Sequence, residues 1–80
     1  MDQRQKALSK EQSKIRVLAI ERMLMEGKRV TASEIQRRLD LLYDIQVDRK
    51  TIYTDIYAID RFIPIEVSTG SNGGYKLVGV

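Results

Sequence analysis

The stretch VDRKTIYTDI, Val47 to Ile56, combines one apolar stripe with a crowded polar face. Ile52, Ile56 and Ile59 follow one another at i, i+4 and i+7, which is the spacing of the buried face of an amphipathic helix. Asp48 precedes this stripe and is expected to cap the N-terminus of a helix over residues 48–61. The buried stripe leaves outside a set of side chains with long reach: Arg49, Lys50, Thr51, Tyr53, Thr54 and Tyr57.

Two further helices are predicted before this one. Ser9 with Gln12 and Thr31 with Glu34 are both capping-box pairs, in which a hydroxyl residue is followed three positions later by Glu or Gln. The first helix should cover residues 10–26 and end at Gly27, which can adopt the left-handed conformation. Residues 1–8 are expected to form a flexible arm, and residues 9–80 a single domain. The apolar stripes are Val17, Ile20 and Leu24 in the first helix, and Ile35, Leu39 and Leu42 in the second.

The C-terminal part of the chain has the alternation of β-strands. Pro64 ends the helical region, and IPIEVS and YKLVGV alternate with a period of two on either side of the glycine-rich TGSNGG. We expect a β-hairpin over residues 65–78, while KRVT (28–31) could be a plain link or one short strand. The predicted fold is α+β but mostly α. Three helices followed by a hairpin are the order of a winged helix-turn-helix domain.

Composition excludes several kinds of chemistry. The 80 residues contain neither cysteine nor histidine, which removes the usual thiolate and imidazole metal ligands and the commonest general base. TGSNGG lacks the Lys-Ser/Thr of a phosphate-binding loop. We therefore expect no enzymatic activity, no cofactor and no metal. No apolar run approaches the roughly 18 residues of a membrane span, and the N-terminus lacks a signal-peptide pattern. We expect a cytoplasmic protein with no membrane partner.

The outer face of the third helix points to double-stranded DNA as partner. Arg49, Lys50 and Thr51 fall at the N-terminus of the helix, where backbone N–H groups and the helix dipole favour an anion. A helix of this kind fits the major groove, and an Arg can bind guanine through two hydrogen bonds. Arg37 and Arg38 of the second helix either hold the flanking phosphates or belong to a solvated face. Asp55 is expected to orient a nearby cation or to stay in solvent, and Tyr75 to close over the core.

Three segments together resemble the winged helix-turn-helix of WYL-domain and DeoR-like bacterial transcription regulators: EGKRVTASEI, DRKTIYTDIYAI and IPIEVSTGSNGGYKL. This resemblance implies DNA contacts by Arg49, Lys50, Thr51, Tyr53 and Thr54, and contacts of the wing residues Asn72 and Lys76 with the backbone or minor groove. Thr54 stands where the family often has Arg. The link DLLYDIQ is longer than the family's usual tight turn. Such regulators usually continue into a C-terminal sensor domain, so the chain is either an excised DNA-binding domain or a small standalone regulator.

An alternative function is a winged-helix module for protein interaction or dimerisation without DNA contact. Such a module would favour exposed apolar residues on the third helix, and the Arg49–Lys50 pair argues against it. A single module makes few phosphate contacts and should bind DNA weakly, with strong salt dependence. A homodimer on a two-fold operator would bind more tightly.

Overall fold

The protein folds as three helices followed by a two-stranded antiparallel hairpin. A computed structural model describes residues 3–69 and 73–79, with side chains described from residue 10 onward. The elements are α1 (Gln3–Leu24), α2 (Ala32–Tyr43), α3 (Arg49–Asp60), β1 (Ile65–Ser68) and β2 (Gly74–Leu77). The predicted α+β class, mostly helical, with winged-helix topology, is confirmed.

Helix α1 begins earlier than the sequence predicted. The helical backbone starts at Gln3, so the expected N-cap at Ser9 is wrong and residues 3–8, expected to be an arm, are the first turns of α1. The capping-box spacing of Ser9 and Gln12 therefore occurs inside a helix. At the other end, Gly27 does adopt the left-handed conformation (φ 82°), and its amide donates to the Leu24 carbonyl at 3.2 Å.

The predicted caps of α2 and α3 are confirmed. The Thr31 hydroxyl accepts a hydrogen bond from the Glu34 amide at 3.1 Å, and the Asp48 carboxylate accepts one from the Thr51 amide at 2.9 Å. Each bond satisfies a backbone donor that the first turn of a helix leaves without a partner. Local sequence thus determines where both helices of the helix-turn-helix begin.

The core lies where the three helices meet. Ile20, Leu24, Ile35, Leu39 and Ile52 are fully buried, and the predicted stripe of α3 is confirmed because Ile56 and Ile59 are buried beside Ile52.

The predicted inward position of Leu42 in α2 is wrong, since its side chain is 63% exposed. Asp44 adopts a left-handed conformation that ends α2, and the Ile45 amide donates to the Leu39 carbonyl at 3.0 Å. The chain thus folds back, and Ile45 enters the core in place of Leu42.

The hairpin is fixed to the helices through the link between α1 and α2. Val30 forms an isolated antiparallel bridge with Tyr75, with N–H···O distances of 2.9 and 2.7 Å, so the KRVT segment contributes a single bridge rather than a longer strand. Within the hairpin, Ile65 pairs with Leu77 and Val67 with Tyr75. Tyr75 packs half-buried against the core, as predicted.

An ion pair joins α1 to α3. The Arg16 guanidinium donates to both carboxylate oxygens of Asp55, through Nε to Oδ2 and through Nη2 to Oδ1 at 3.1 Å. Asp55 is only 5% exposed. Of the two expectations for Asp55, orientation of a nearby cation is confirmed. Within the described ranges, no helix is long and apolar enough to cross a membrane.

Candidate nucleic-acid interface

The outward side of α3 carries an exposed row of cations, hydroxyls and rings. Arg49, Lys50, Tyr53, Thr54 and Tyr57 are all exposed, whereas Ile52, Asp55, Ile56 and Ile59 face the protein. Tyr57 is 76% and Tyr53 46% exposed. The helix therefore presents one continuous polar and aromatic surface to solvent.

The first turn of α3 is capped by Asp48. Its carboxylate accepts hydrogen bonds from both the amide and the hydroxyl of Thr51, at 2.9 and 2.7 Å. These two bonds hold the pKa of Asp48 below its ordinary value, so the cap is ionised at neutral pH. Thr51 is half-buried, and its hydroxyl proton is engaged by the cap. An added ligand would therefore meet the Thr51 oxygen as an acceptor rather than as a donor.

Arg49 reaches across to the N-terminus of α2. Its Nη2 donates to the Ser33 hydroxyl at 2.5 Å. A shallow polar groove of about 250 Å³ lies here between the starts of α2 and α3 and the hairpin, and it is lined by Thr31, Ser33, Arg49, Tyr53 and Gly74 among others. The first-turn amides of α2 and a guanidinium thus lie at one groove, an arrangement suited to an anionic oxygen.

The two arginines of α2 have different environments. Arg37 is exposed, lies one helical turn after Ser33, and lines a second groove with Gln36 and Gln46. Arg38 instead forms a forked ion pair with Glu26, at 2.7 and 3.2 Å. This pairing raises the pKa of Arg38 and lowers that of Glu26. Of the two, Arg37 is therefore on the same side as Ser33 and Arg49, and Arg38 joins α2 to the turn that follows α1.

Lys50 and Thr54 are linked through the backbone of α3. The Thr54 hydroxyl donates to the Lys50 carbonyl at 3.1 Å, which is the usual local bond of a threonine inside a helix. Both side chains are exposed. Lys50 is thus an exposed cation of the first turn, and Thr54 continues its face one turn later.

The predicted wing residues are only partly placed by the structure. Lys76 is half-buried and pairs across the hairpin with Glu66, which itself forms an ion pair with Arg29 at 3.3 Å. Side chains alternate along a strand, so Lys76 lies on the opposite face from Tyr75, away from the row on α3. Asn72 lies outside the described residues.

An apolar groove follows the polar one toward the C-terminal half of α3. It has a volume of about 370 Å³ and is lined by Tyr53, Ile56, Tyr57, Asp60, Ile65, Val67 and Tyr75. Burial, and to a smaller degree the neighbouring Tyr53 phenol, raises the pKa of Tyr75, so its hydroxyl stays protonated at neutral pH. The groove offers three tyrosine rings with their hydroxyl groups, and Asp60 is its acidic member.

Two features of this region were missed by sequence reasoning. Ser33 was not considered, although its position in the first turn of α2 could have suggested an anion-binding role. Arg16 was not identified as the partner of Asp55, because 39 residues separate them and no local pattern connects the two.

Comparison with known proteins adds no relative. No family model matches the sequence, and neither the curated proteins nor the solved structures give a match.

Proposed function

We propose that this domain binds double-stranded DNA, with α3 in the major groove, and that it serves as the DNA-binding part of a bacterial transcription regulator. The observation that carries the proposal is the exposed pair Arg49 and Lys50 in the first turn of α3, beside the first turn of α2. A helix that projects its N-terminal cations beyond the domain is the element that helix-turn-helix proteins insert into the groove.

Charge and hydrogen-bond donors are distributed as a DNA backbone requires. Arg37, Ser33 and Arg49 form a continuous run along one side, because Ser33 lies one turn before Arg37 and accepts a bond from Arg49. These groups and the α2 amides would bind the phosphates next to the groove. Phosphate contacts of this kind would position α3 but carry no sequence information.

Reading of bases would fall to the rest of the row on α3. Lys50 can donate to guanine O6 and N7, and the Tyr53 ring can contact a thymine methyl group. The Thr54 hydroxyl can accept a bond while it donates to the Lys50 carbonyl. The resemblance of the three sequence segments to WYL-domain and DeoR-like regulators supports the same use of these residues, and it supports a place at the nucleoid in the cytoplasm.

The test is fluorescence anisotropy of mixed-sequence duplex DNA at low and at moderate salt. We expect the wild-type protein to bind weakly and to lose affinity steeply as salt rises. Replacing both cations, Arg49→Ala/Lys50→Ala, should weaken binding and reduce the slope of log K against log[salt] by about 1, because the phosphate contact of Arg49 is lost and each such contact contributes about 1.

A matched control separates position from net charge. Lys10→Ala/Lys28→Ala removes the same charge from exposed sites on α1 and the turn after it, and it should change affinity much less. No binding by the wild type at low salt would refute the proposal. Equal losses in the two double variants would show that binding depends on net charge and has no specific site on α3.

A second candidate function is favoured by the apolar groove. Tyr57 is 76% and Val67 61% exposed beside it, which would suit a protein partner rather than DNA. Val67→Asp would abolish such protein binding but leave the N-terminal cations of α3 intact. Undiminished DNA binding by Val67→Asp, together with loss in the Arg49/Lys50 variant, would decide for DNA.

A further inference from the structure

Helix α1 has a second apolar stripe on the side that faces away from the core. The buried face of α1 consists of Ala19, Ile20, Met23 and Leu24. Roughly opposite, at successive spacings of four, three, four and three residues, lie the residues that we call the α1 seam: Glu11, Ile15, Leu18, Arg22 and Met25. Met25 continues the helical pattern because its amide donates to the Glu21 carbonyl at 2.9 Å.

The apolar members of the α1 seam are uncovered. Ile15 is 43%, Leu18 60% and Met25 58% exposed. Alternating spacings of three and four are those of the a and d positions of a coiled coil. Among the residues that the structure describes, neither Glu11 nor Arg22 forms an ion pair within the chain.

We propose that the α1 seam is a homodimer interface, in which α1 packs antiparallel against α1 of a second copy. A two-fold interface must be self-complementary, so that each pairing occurs twice. When Ile15 lies opposite the partner's Leu18, helical spacing places Glu11 opposite the partner's Arg22. The register thus joins apolar to apolar residues at the centre and opposite charges on both sides of it.

The residues beside the α1 seam support the same direction. Lys14 and Glu21 are seven residues apart and lie on the same flank of the α1 seam. Antiparallel packing brings Lys14 close to the partner's Glu21. Parallel packing would instead place Glu11 against the partner's Glu11 and Arg22 against the partner's Arg22. Like charges at both positions oppose the parallel dimer, so charge selects the antiparallel one.

Sedimentation equilibrium of the whole chain without DNA tests this inference, from about 10 μM to about 1 mM protein at low salt. We expect a monomer–dimer equilibrium. Arg22→Glu should raise the dimer Kd about tenfold, because two opposite-charge pairs become like-charge pairs. The charge exchange Glu11→Arg/Arg22→Glu should restore wild-type association, since each pair again has opposite signs.

The control is Arg37→Glu, which makes the same charge change on the exposed side of α2 and should leave the dimer Kd unchanged. Circular dichroism would verify that each variant keeps its helices. The inference is overturned if the wild-type protein is monomeric at every concentration. It is also overturned if Arg37→Glu raises the dimer Kd as much as Arg22→Glu does. If Glu11→Arg/Arg22→Glu dimerises as weakly as Arg22→Glu alone, the antiparallel register is excluded. Because no DNA is present, these outcomes are independent of the proposed DNA binding.

Discussion

Asp55 explains how a carboxylate can lie on the helix that carries the candidate DNA-binding row. Its side chain points away from that row and binds the Arg16 guanidinium, which is itself largely buried. The negative charge is therefore neutralised inside the protein rather than presented to phosphate. The same contact joins α3 to α1 on the buried side of α3, where Ile52, Ile56 and Ile59 also lie.

Removal of the Asp55 charge should destabilise the protein strongly. Asp55→Asn leaves the Arg16 charge largely buried without its counter-ion, which we expect to lower the free energy of unfolding by about 2–4 kcal/mol. The double replacement Arg16→Met/Asp55→Leu fills the same volume with apolar side chains. It should lower the free energy of unfolding less than Asp55→Asn does. Urea unfolding followed by circular dichroism measures both. A single variant as stable as the wild type would mean that the ion pair contributes nothing to the packing of α3.

Residues with local signals were predictable, and residues whose partners are distant were not. Thr31 and Asp48 cap helices through bonds to amides three positions later, so the sequence alone indicates them. The Arg16–Asp55 pair spans 39 positions. For the same reason the hydrogen bond from Arg49 to Ser33 was not foreseen, although Arg49 itself was a predicted site residue.

Sequence patterns did not correctly predict the C-terminal end of α2 or the N-terminal end of α1. Leu42 fits the stripe of α2 but is exposed, because the left-handed Asp44 turns the chain and Ile45 takes the buried place. In α1, the capping-box spacing at Ser9 suggested a start that the helix does not use. The Leu42 error comes from chain reversal at Asp44, which a pattern of neighbouring residues does not contain. The Ser9 error arises because the Gln, Arg, Lys, Ala and Leu residues that precede Ser9 are themselves good helix formers.

The hairpin depends on one glycine at its attachment to the helices. Gly74 has φ 155°, and a Cβ added there would lie 2.7 Å from the Val30 carbonyl oxygen and 2.8 Å from Arg29 Cγ. The Val30 oxygen belongs to the bridge that holds Tyr75. A side chain at residue 74 would therefore separate β2 from the link between α1 and α2.

Gly74→Ala should lower the free energy of unfolding by about 2–4 kcal/mol, because backbone strain and a clash with the bridge act together. Gly79→Ala is the matched control: it also has a positive φ (81°), but no atom lies within 4 Å of its added Cβ. Gly79→Ala should lower the free energy of unfolding clearly less than Gly74→Ala does. Thermal unfolding followed by circular dichroism compares the two variants, and equal losses would show that the close approach to Val30 does not matter.

The complete domain presents different surfaces on α1 and on α3. The row on α3 is basic and polar at its N-terminal end, whereas the α1 seam is apolar at its centre and flanked by complementary charges. Ile20 and Leu24 of α1 and Ile52 of α3 meet in the same core, so neither surface can move independently of the other. If the α1 seam dimerises and α3 binds DNA, two copies would present two such rows in a fixed two-fold arrangement.

Loss of the dimer should therefore weaken binding to long DNA but not to short DNA. Arg22→Glu leaves every residue of the α3 row intact, so its affinity for a duplex of about 10 base pairs, which holds one module, should equal that of the wild type. On a duplex of about 30 base pairs, the wild type should bind more tightly and more cooperatively than Arg22→Glu, because the second module binds with a raised effective concentration. Glu11→Arg/Arg22→Glu should recover the wild-type behaviour on the long duplex. Anisotropy titrations on both duplexes measure these differences, and an equal loss on the short duplex would place Arg22 in the DNA contact itself.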